Sequence, residues 1–140
     1  IHVELKGFGS EYKSDVGMLV PADGVEGVKN AVLEIVKHAG PNPCPPIVLG
    51  IGIGGTMDQA AVMSKKALLR DISVPHKDAD YAKLEEEIME MVNKTGIGPQ
   101  LGGTTTCIGV NIDWGATHIA GLPVAVTIMC HAARHAHVVL

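Results

Sequence analysis

The sequence predicts an α/β fold on three observations. Apolar runs of strand length alternate with segments of helical periodicity. Hydrophobic residues make up 46 % and charged ones 19 % of the 140 residues, the range of a packed globular protein and not of a disordered chain. The length suits one domain, taken as residues 1–140. The 17 glycines follow no three-residue period, which excludes collagen. A formal net charge of -4 without a basic stripe leaves no electrostatic footprint for nucleic acid. No apolar run approaches the roughly 20 residues that span a bilayer.

Taken in order, Val3 to Leu5 closes a short strand, and Lys6-Gly7-Phe8-Gly9-Ser10 reads as a loop. Its glycines let backbone amides approach an anion, although the same pattern makes an ordinary turn. Asp23 to His38 is an amphipathic helix, with Val25, Val28, Val32, Ile35 and Val36 at helical spacing and Gly40-Pro41 as its stop. Asn42-Pro43-Cys44-Pro45-Pro46 forms a rigid turn in which prolines flank Cys44. Ile47 to Ile53 reads as a buried strand, and Gly54-Gly55-Thr56 leads into a helix over Met57 to Arg70. Asp80 to Lys94 is a third helix with Leu84, Ile88, Met91 and Val92 on one face. Glu85, Glu86 and Glu87 read as its solvated face. Thr95 to Gly103 is a glycine-rich loop, and Thr104 to Ile112 and Val124 to Met129 are strands.

Several groups invite a chemical reading. Gly50-Ile51-Gly52-Ile53-Gly54-Gly55 matches the GxGxxG dinucleotide fingerprint, and Asp71 falls where a ribose-binding acid is expected. Against it, Gly50 and Gly52 lie inside the apolar run, Asp71 follows a helix directly, and no second mononucleotide-binding half is evident. His131, His135 and His137 offer zinc-like spacing without a cysteine or carboxylate to complete a set, so terminal histidines of mixed exposure are expected. His118 stands in a short loop between two strands, either as hydrogen-bonded structure or as a proton donor or carboxylate ligand. Cys44, Cys107 and Cys130 are odd in number and widely spaced, which argues against a secreted disulfide framework. They are either buried structural thiols or thiolate ligands from separate loops, as an iron–sulfur cluster with one open iron would take in a reducing, cytoplasmic setting.

The strings narrow these alternatives. Pro43-Cys44-Pro45-Pro46, Ile53-Gly54-Gly55-Thr56, Gly96-Ile97-Gly98-Pro99-Gln100-Leu101-Gly102-Gly103, Thr117-His118-Ile119-Ala120-Gly121-Leu122-Pro123 and Cys130-His131-Ala132-Ala133-Arg134 occur in that order. Together they resemble the class I, iron–sulfur fumarase and tartrate dehydratase family. Lys6-Gly7-Phe8-Gly9-Ser10 resembles the family's KGGGS loop, with Phe8 replacing a glycine. The resemblance implies a mixed sheet with flanking helices, within the central-to-C-terminal part of an α subunit. It implies a [4Fe–4S] cluster with Cys44 and Cys130 as two of three cysteine ligands. Cys107 matches no ligand position, and the first ligand belongs to a CQDTG block absent here. His118 is implied near the substrate carboxylates as a catalytic and substrate-binding residue, with Gly7 and Gly9 offering amides to a carboxylate. Arg134 closes the motif after Cys130 without an assigned role.

The implied reaction is reversible hydration of fumarate to L-malate, with tartrate dehydration as the alternative. The implied partners are a β subunit or C-terminal domain, an oligomer and a dicarboxylate substrate. The chain starts at Ile1 rather than Met and ends in an apolar run, so it is expected to be a piece of a longer protein, inactive alone. A nucleotide-binding domain using Gly50 to Gly55 is the reading from another class. Convergence of Cys44, His118 and Cys130 on one pocket would separate the two.

Overall fold

The computed structural model of the chain describes residues 1–100 and 102–140; Leu101 of the glycine-rich loop lies outside them. The element order is β1 (His2–Leu5), α1 (Phe8–Glu11), β2 (Asp15–Leu19), α2 (Gly24–Ala39), β3 (Ile47–Ile53), α3 (Met57–Ala67), α4 (Ala79–Asn93), β4 (Cys107–Trp114), β5 (Leu122–Met129) and β6 (Arg134–His137). Four strands form a mixed sheet in the order β2-β5-β3-β4, with β3 and β4 parallel and β5 antiparallel to both β3 and β2. A separate antiparallel ribbon joins β1 to β6. This is the α/β architecture, a mixed sheet with flanking helices, that the alternation of elements and the resemblance led one to expect.

The two faces of β3 explain the layering. Ile47, Leu49, Ile51 and Ile53 alternate along the strand and pack with Val32 and Val36 of α2 and Ile88 and Val92 of α4. Burying each such aliphatic side chain contributes about 1.5–3 kcal/mol. The opposite face presents Gly50 and Gly52 to α3. A Cβ on Gly50 would collide with the Ser64 carbonyl and Leu68, and one on Gly52 with the Ala60 carbonyl and the Ser64 amide. Glycine therefore lets α3 lie directly on the strand backbone. A buried hydroxyl pair, Ser64 to Thr127 at 2.7 Å, pins that contact.

Buried amides fasten the other junctions. Asn111 donates to the carbonyls of Ala67 (3.0 Å) and Arg70 (2.7 Å), closing the end of α3. Asn93, at the end of α4, accepts from the amides of Thr106 (3.0 Å) and Cys107 (2.9 Å). It thereby ties the glycine-rich loop to the start of β4.

Several elements differ from expectation. Phe8 to Ser10 are not loop: with Glu11 they form one helical turn, and the Gly7 carbonyl accepts from the Ser10 and Glu11 amides at 3.2 Å each. The helix expected over Met57 to Arg70 ends at Ala67, where Leu68 begins a turn. The strand expected over Thr104 to Ile112 runs from Cys107 to Trp114. β2 and β6 have no counterpart in the sequence reading; each is short and gains its definition from the strand it pairs with. Glu85 is not solvated but 7 % exposed. Its carboxylate pairs with Arg70 and accepts from the amides of Ile112 at 2.7 Å and His76 at 3.2 Å. It thus occupies part of the outer edge of β4.

Candidate active site

The antiparallel pairing of β3 with β5 divides the candidate residues between two ends of the sheet. Val48 opposes Met129 at one end, and Ile53 opposes Val124 at the other. Cys44 precedes β3 and Cys130 follows β5, so both thiols belong to the first end. The contact is direct: the His131 amide lies 3.5 Å and the His131 Nδ1 3.1 Å from the Cys44 carbonyl oxygen.

Cys44 is exposed and sits at φ 61°, held by its amide donating to the Pro41 carbonyl at 3.2 Å. Its thiol has only a long contact, 3.8 Å, to the Asn42 carbonyl. Cys130 is half-buried. Both thiols are free, and two thiolates from separate loops at one sheet end suit iron–sulfur ligation. The donor set within the chain stops there: among the described residues no three His, Cys, Asp or Glu side chains gather as a metal site. Cys107 is a different kind of cysteine. It is 2 % exposed, its thiol donates to the Gly109 carbonyl at 3.2 Å, and burial pushes its pKa up to about 11. It is a structural thiol.

The glycine loop lies at the same end. The ribbon places Arg134 opposite Leu5, next to Lys6 and Gly7. Nothing stands within 4 Å of a Cβ position on Gly7 or Gly9. Gly9 is the second residue of the α1 turn, where an amide has no intrahelical acceptor. Charges brace the loop from below. Lys6 pairs with Glu11 at 2.8 Å, and Lys65 of α3 holds the other Glu11 oxygen. Hydrogen bonds from Lys6 and Lys65 lower the Glu11 pKa, while burial raises that of Glu4 and lowers that of Lys6. Arg134 is exposed beside this loop, a candidate that sequence reasoning left without a role.

The histidines of the tail do not form a zinc site among the described residues. His131 contacts Cys44, His135 faces Glu4 at 3.7 Å, and His137 stacks on His2 at 4.9 Å. All three are exposed rather than mixed in exposure. A cleft of about 510 Å³ between the ribbon and the sheet is lined by His2, His135, Met129 and His131. Cys130 lies between the last two in sequence.

His118 is elsewhere. Its loop sits on Gly54 and Gly55, at the far end of β3. Gly115 donates to the Ile53 carbonyl (2.9 Å), Gly55 to Ala116 (3.1 Å), and Gly54 to Pro123 (2.8 Å). The Thr117 hydroxyl reaches the Gly55 (3.3 Å) and Gly121 (2.7 Å) carbonyls. The Ala120 amide donates to His118 Nδ1 at 3.1 Å, so the neutral ring carries its proton on Nε2. The ring is exposed. Within one chain, Cys44 and Cys130 come together and His118 does not join them.

The same hydrogen bonds overturn the nucleotide alternative. Gly50 and Gly52 lie within a central strand, and Gly54 and Gly55 spend their amides on carbonyls. The Thr56 amide donates to the Gln59 side chain in a capping box. The amides of Gly54, Gly55 and Thr56 are thus committed within the chain, and the spacing of Gly50 and Gly52 reflects close packing of α3.

A family model described as fumarate hydratase (Fumerase) matches residues 1–139. A Methanocaldococcus jannaschii protein provisionally named L(+)-tartrate dehydratase subunit alpha is 52 % identical over 132 residues, covering 94 % of this chain and 46 % of its own length. The Escherichia coli K12 protein named L(+)-tartrate dehydratase subunit alpha is 38 % identical over 135 residues, covering 96 % of this chain and 45 % of its own. The chain thus spans a little under half the length of these curated relatives.

Proposed function

The chain belongs to the fumarate hydratase (Fumerase) family of hydro-lyases, and from that premise we propose that it forms part of the α subunit of an enzyme that reversibly hydrates a four-carbon dicarboxylate. The observation that carries this reading is the meeting of Cys44 and Cys130 at one end of the sheet, while Cys107 is buried away from use. In the proposal, Cys44 and Cys130 hold a [4Fe–4S] cluster, with a third ligand from outside these residues. When bound, that cluster supplies an open iron as Lewis acid for the substrate hydroxyl.

The chain's own groups bind and orient. The amides of Gly7 and Gly9 and the guanidinium of Arg134 suit a carboxylate group. His118, with its proton on Nε2, suits donation to a carboxylate or to departing oxygen. The proton-abstracting base and a β subunit are proposed to lie outside this chain. A cluster with free thiolate ligands suits a reducing compartment, and we place the protein in the cytoplasm on that ground.

Fumarate is the substrate we propose, in keeping with the family description. Tartrate is the second reading, favoured by the names of both relatives. Anaerobic reconstitution of the full α subunit with its β partner tests both. The expected result is cluster absorption with hydration of fumarate. Cluster absorption with turnover of L-tartrate alone selects the second reading. No cluster and no turnover of either substrate refutes the hydro-lyase proposal.

A further inference from the structure

The two thiol-bearing segments meet beyond the end of the strand ladder. Val48 opposite Met129 is the last pair of β3 and β5 on that side. The next amide, that of Ile47, turns away and donates to the Thr106 carbonyl at 2.7 Å. Pro43, Pro45 and Pro46 have no amide to offer, and the Cys44 amide is spent on the Pro41 carbonyl of its own turn at 3.2 Å. From Pro43 to Ile47 the chain thus presents carbonyl acceptors and no free amide.

His131 supplies the donors. Its ring Nδ1 lies 3.1 Å and its amide 3.5 Å from the Cys44 carbonyl oxygen. A carbonyl only accepts, so Nδ1 carries the proton in this contact. Among the described residues, no other hydrogen bond joins residues 41–46 to residues 130–134. The prolines and the Cys44 φ of 61° fix the turn internally, but they do not set its position against β5; the His131 bonds do.

We infer that His131 is a positioning residue, whose ring holds the Cys44 turn against the Cys130 loop before anything is bound. What the two thiols hold is taken from the hydro-lyase reading above; the bond itself lies within this chain. Two ligand loops already in register have less freedom to lose when a shared group binds, which is how a hydrogen bond one step removed from the sulfurs can govern affinity.

The test uses the full α subunit with its β partner, stripped of bound metal. A short bis-maleimide bridges two thiols only when both lie within its span, and peptide mapping reads the Cys44–Cys130 bridge. His131→Ala removes the ring donor. His131→Gln places its amide nitrogen where Nε2 stood, and His131→Asn places it where Nδ1 stood. Loss of one neutral hydrogen bond should lower bridging about two- to tenfold in the alanine and glutamine variants, and the asparagine variant should restore it. Melting temperatures should stay near the wild-type value in all three. Wild-type bridging in the alanine variant overturns the inference, as does an asparagine variant no better than alanine. A wild-type protein that forms no Cys44–Cys130 bridge overturns it too, since the two segments then do not meet.

A second measurement reads the cluster without turnover. After anaerobic reconstitution at limiting iron and sulfide, cluster absorption should follow the same order, wild type and asparagine above glutamine and alanine. Equal absorption in all four overturns the action of His131 on the proposed ligands. A wild-type assembly that bridges with this dependence on residue 131, yet holds no cluster, removes the hydro-lyase reading and leaves the positioning role standing.

Discussion

Replacing Gly52 by alanine separates a packing role from a ligand-binding one. The added methyl would meet the Ala60 carbonyl and the Ser64 amide, both main-chain atoms of α3, so no flexible side chain can yield. α3 must retreat from the sheet. Overpacking of this kind costs about 1–3 kcal/mol. The retreat also weakens the buried Ser64–Thr127 hydrogen bond, now 2.7 Å and contributing about 1 kcal/mol. Removing a glycine restricts the unfolded chain and returns about 0.4–1 kcal/mol. The net expectation is a loss of about 1–3 kcal/mol, or a fall in Tm of about 3–12 °C for a domain of this size. Gly7→Ala is the control: the site is open, its backbone lies at φ -73°, and the change should stay within about 0.5 kcal/mol. Urea and thermal denaturation of the purified variants, with NAD titrated into the wild-type protein, make the assay. A Gly52→Ala protein as stable as Gly7→Ala would refute the packing argument, and saturable NAD binding would restore the nucleotide reading.

Three further outcomes are expected. Alkylation of the native protein should modify Cys44 rapidly and leave Cys107 untouched until denaturant is added, because the thiolate is the nucleophile and burial holds Cys107 protonated; peptide mapping reads both sites, and early modification of Cys107 would contradict its placement. Glu85→Ala should cost about 3–5 kcal/mol, since it strands Arg70 and the Ile112 amide together, and Glu85→Gln should recover part of that; denaturant midpoints decide. The Glu11 pKa is lowered by Lys6 and Lys65, so its contribution to stability is present above the ordinary carboxylate range and is lost as pH falls through the lowered value. Glu4, raised by burial, acts in the opposite sense. Glu11→Gln should therefore flatten the acid limb of stability against pH, and an unchanged limb would count against the Lys6–Glu11–Lys65 arrangement.

Much of the fold is legible where local pattern and tertiary role coincide. Ile47 to Ile53 is read with its observed bounds because a central strand buried on both faces leaves a continuous apolar run. The helices around Val32 and Ile88 follow from an apolar stripe at helical spacing. β6 is not legible: Arg134-His135-Ala136-His137 has no strand pattern and exists because β1 lies beside it. Glu85 is misread for a similar reason, since its partner Arg70 is 15 residues away and a run of three glutamates looks solvated from within one helix. Cys44, Cys130 and His118 are each picked out as candidates by their strings. Which end of the sheet each occupies depends on the antiparallel register of β3 and β5, a long-range property that no local string records.

Cys44 is a non-glycine residue with a left-handed backbone, flanked by Pro43 and Pro45. A side chain in that conformation costs about 1–2 kcal/mol relative to glycine. The chain bears that penalty at the moment of folding, before anything is bound, and afterwards holds the Cα–Cβ bond in one direction. Ligand capture then has less disorder to remove, which favours fast and selective assembly over a floppy thiol that must search. Cys44→Gly should accordingly yield a protein that melts higher yet has lost one of its two proposed anchoring sulfurs. A tighter fold and a poorer metalloprotein would come from the same single change.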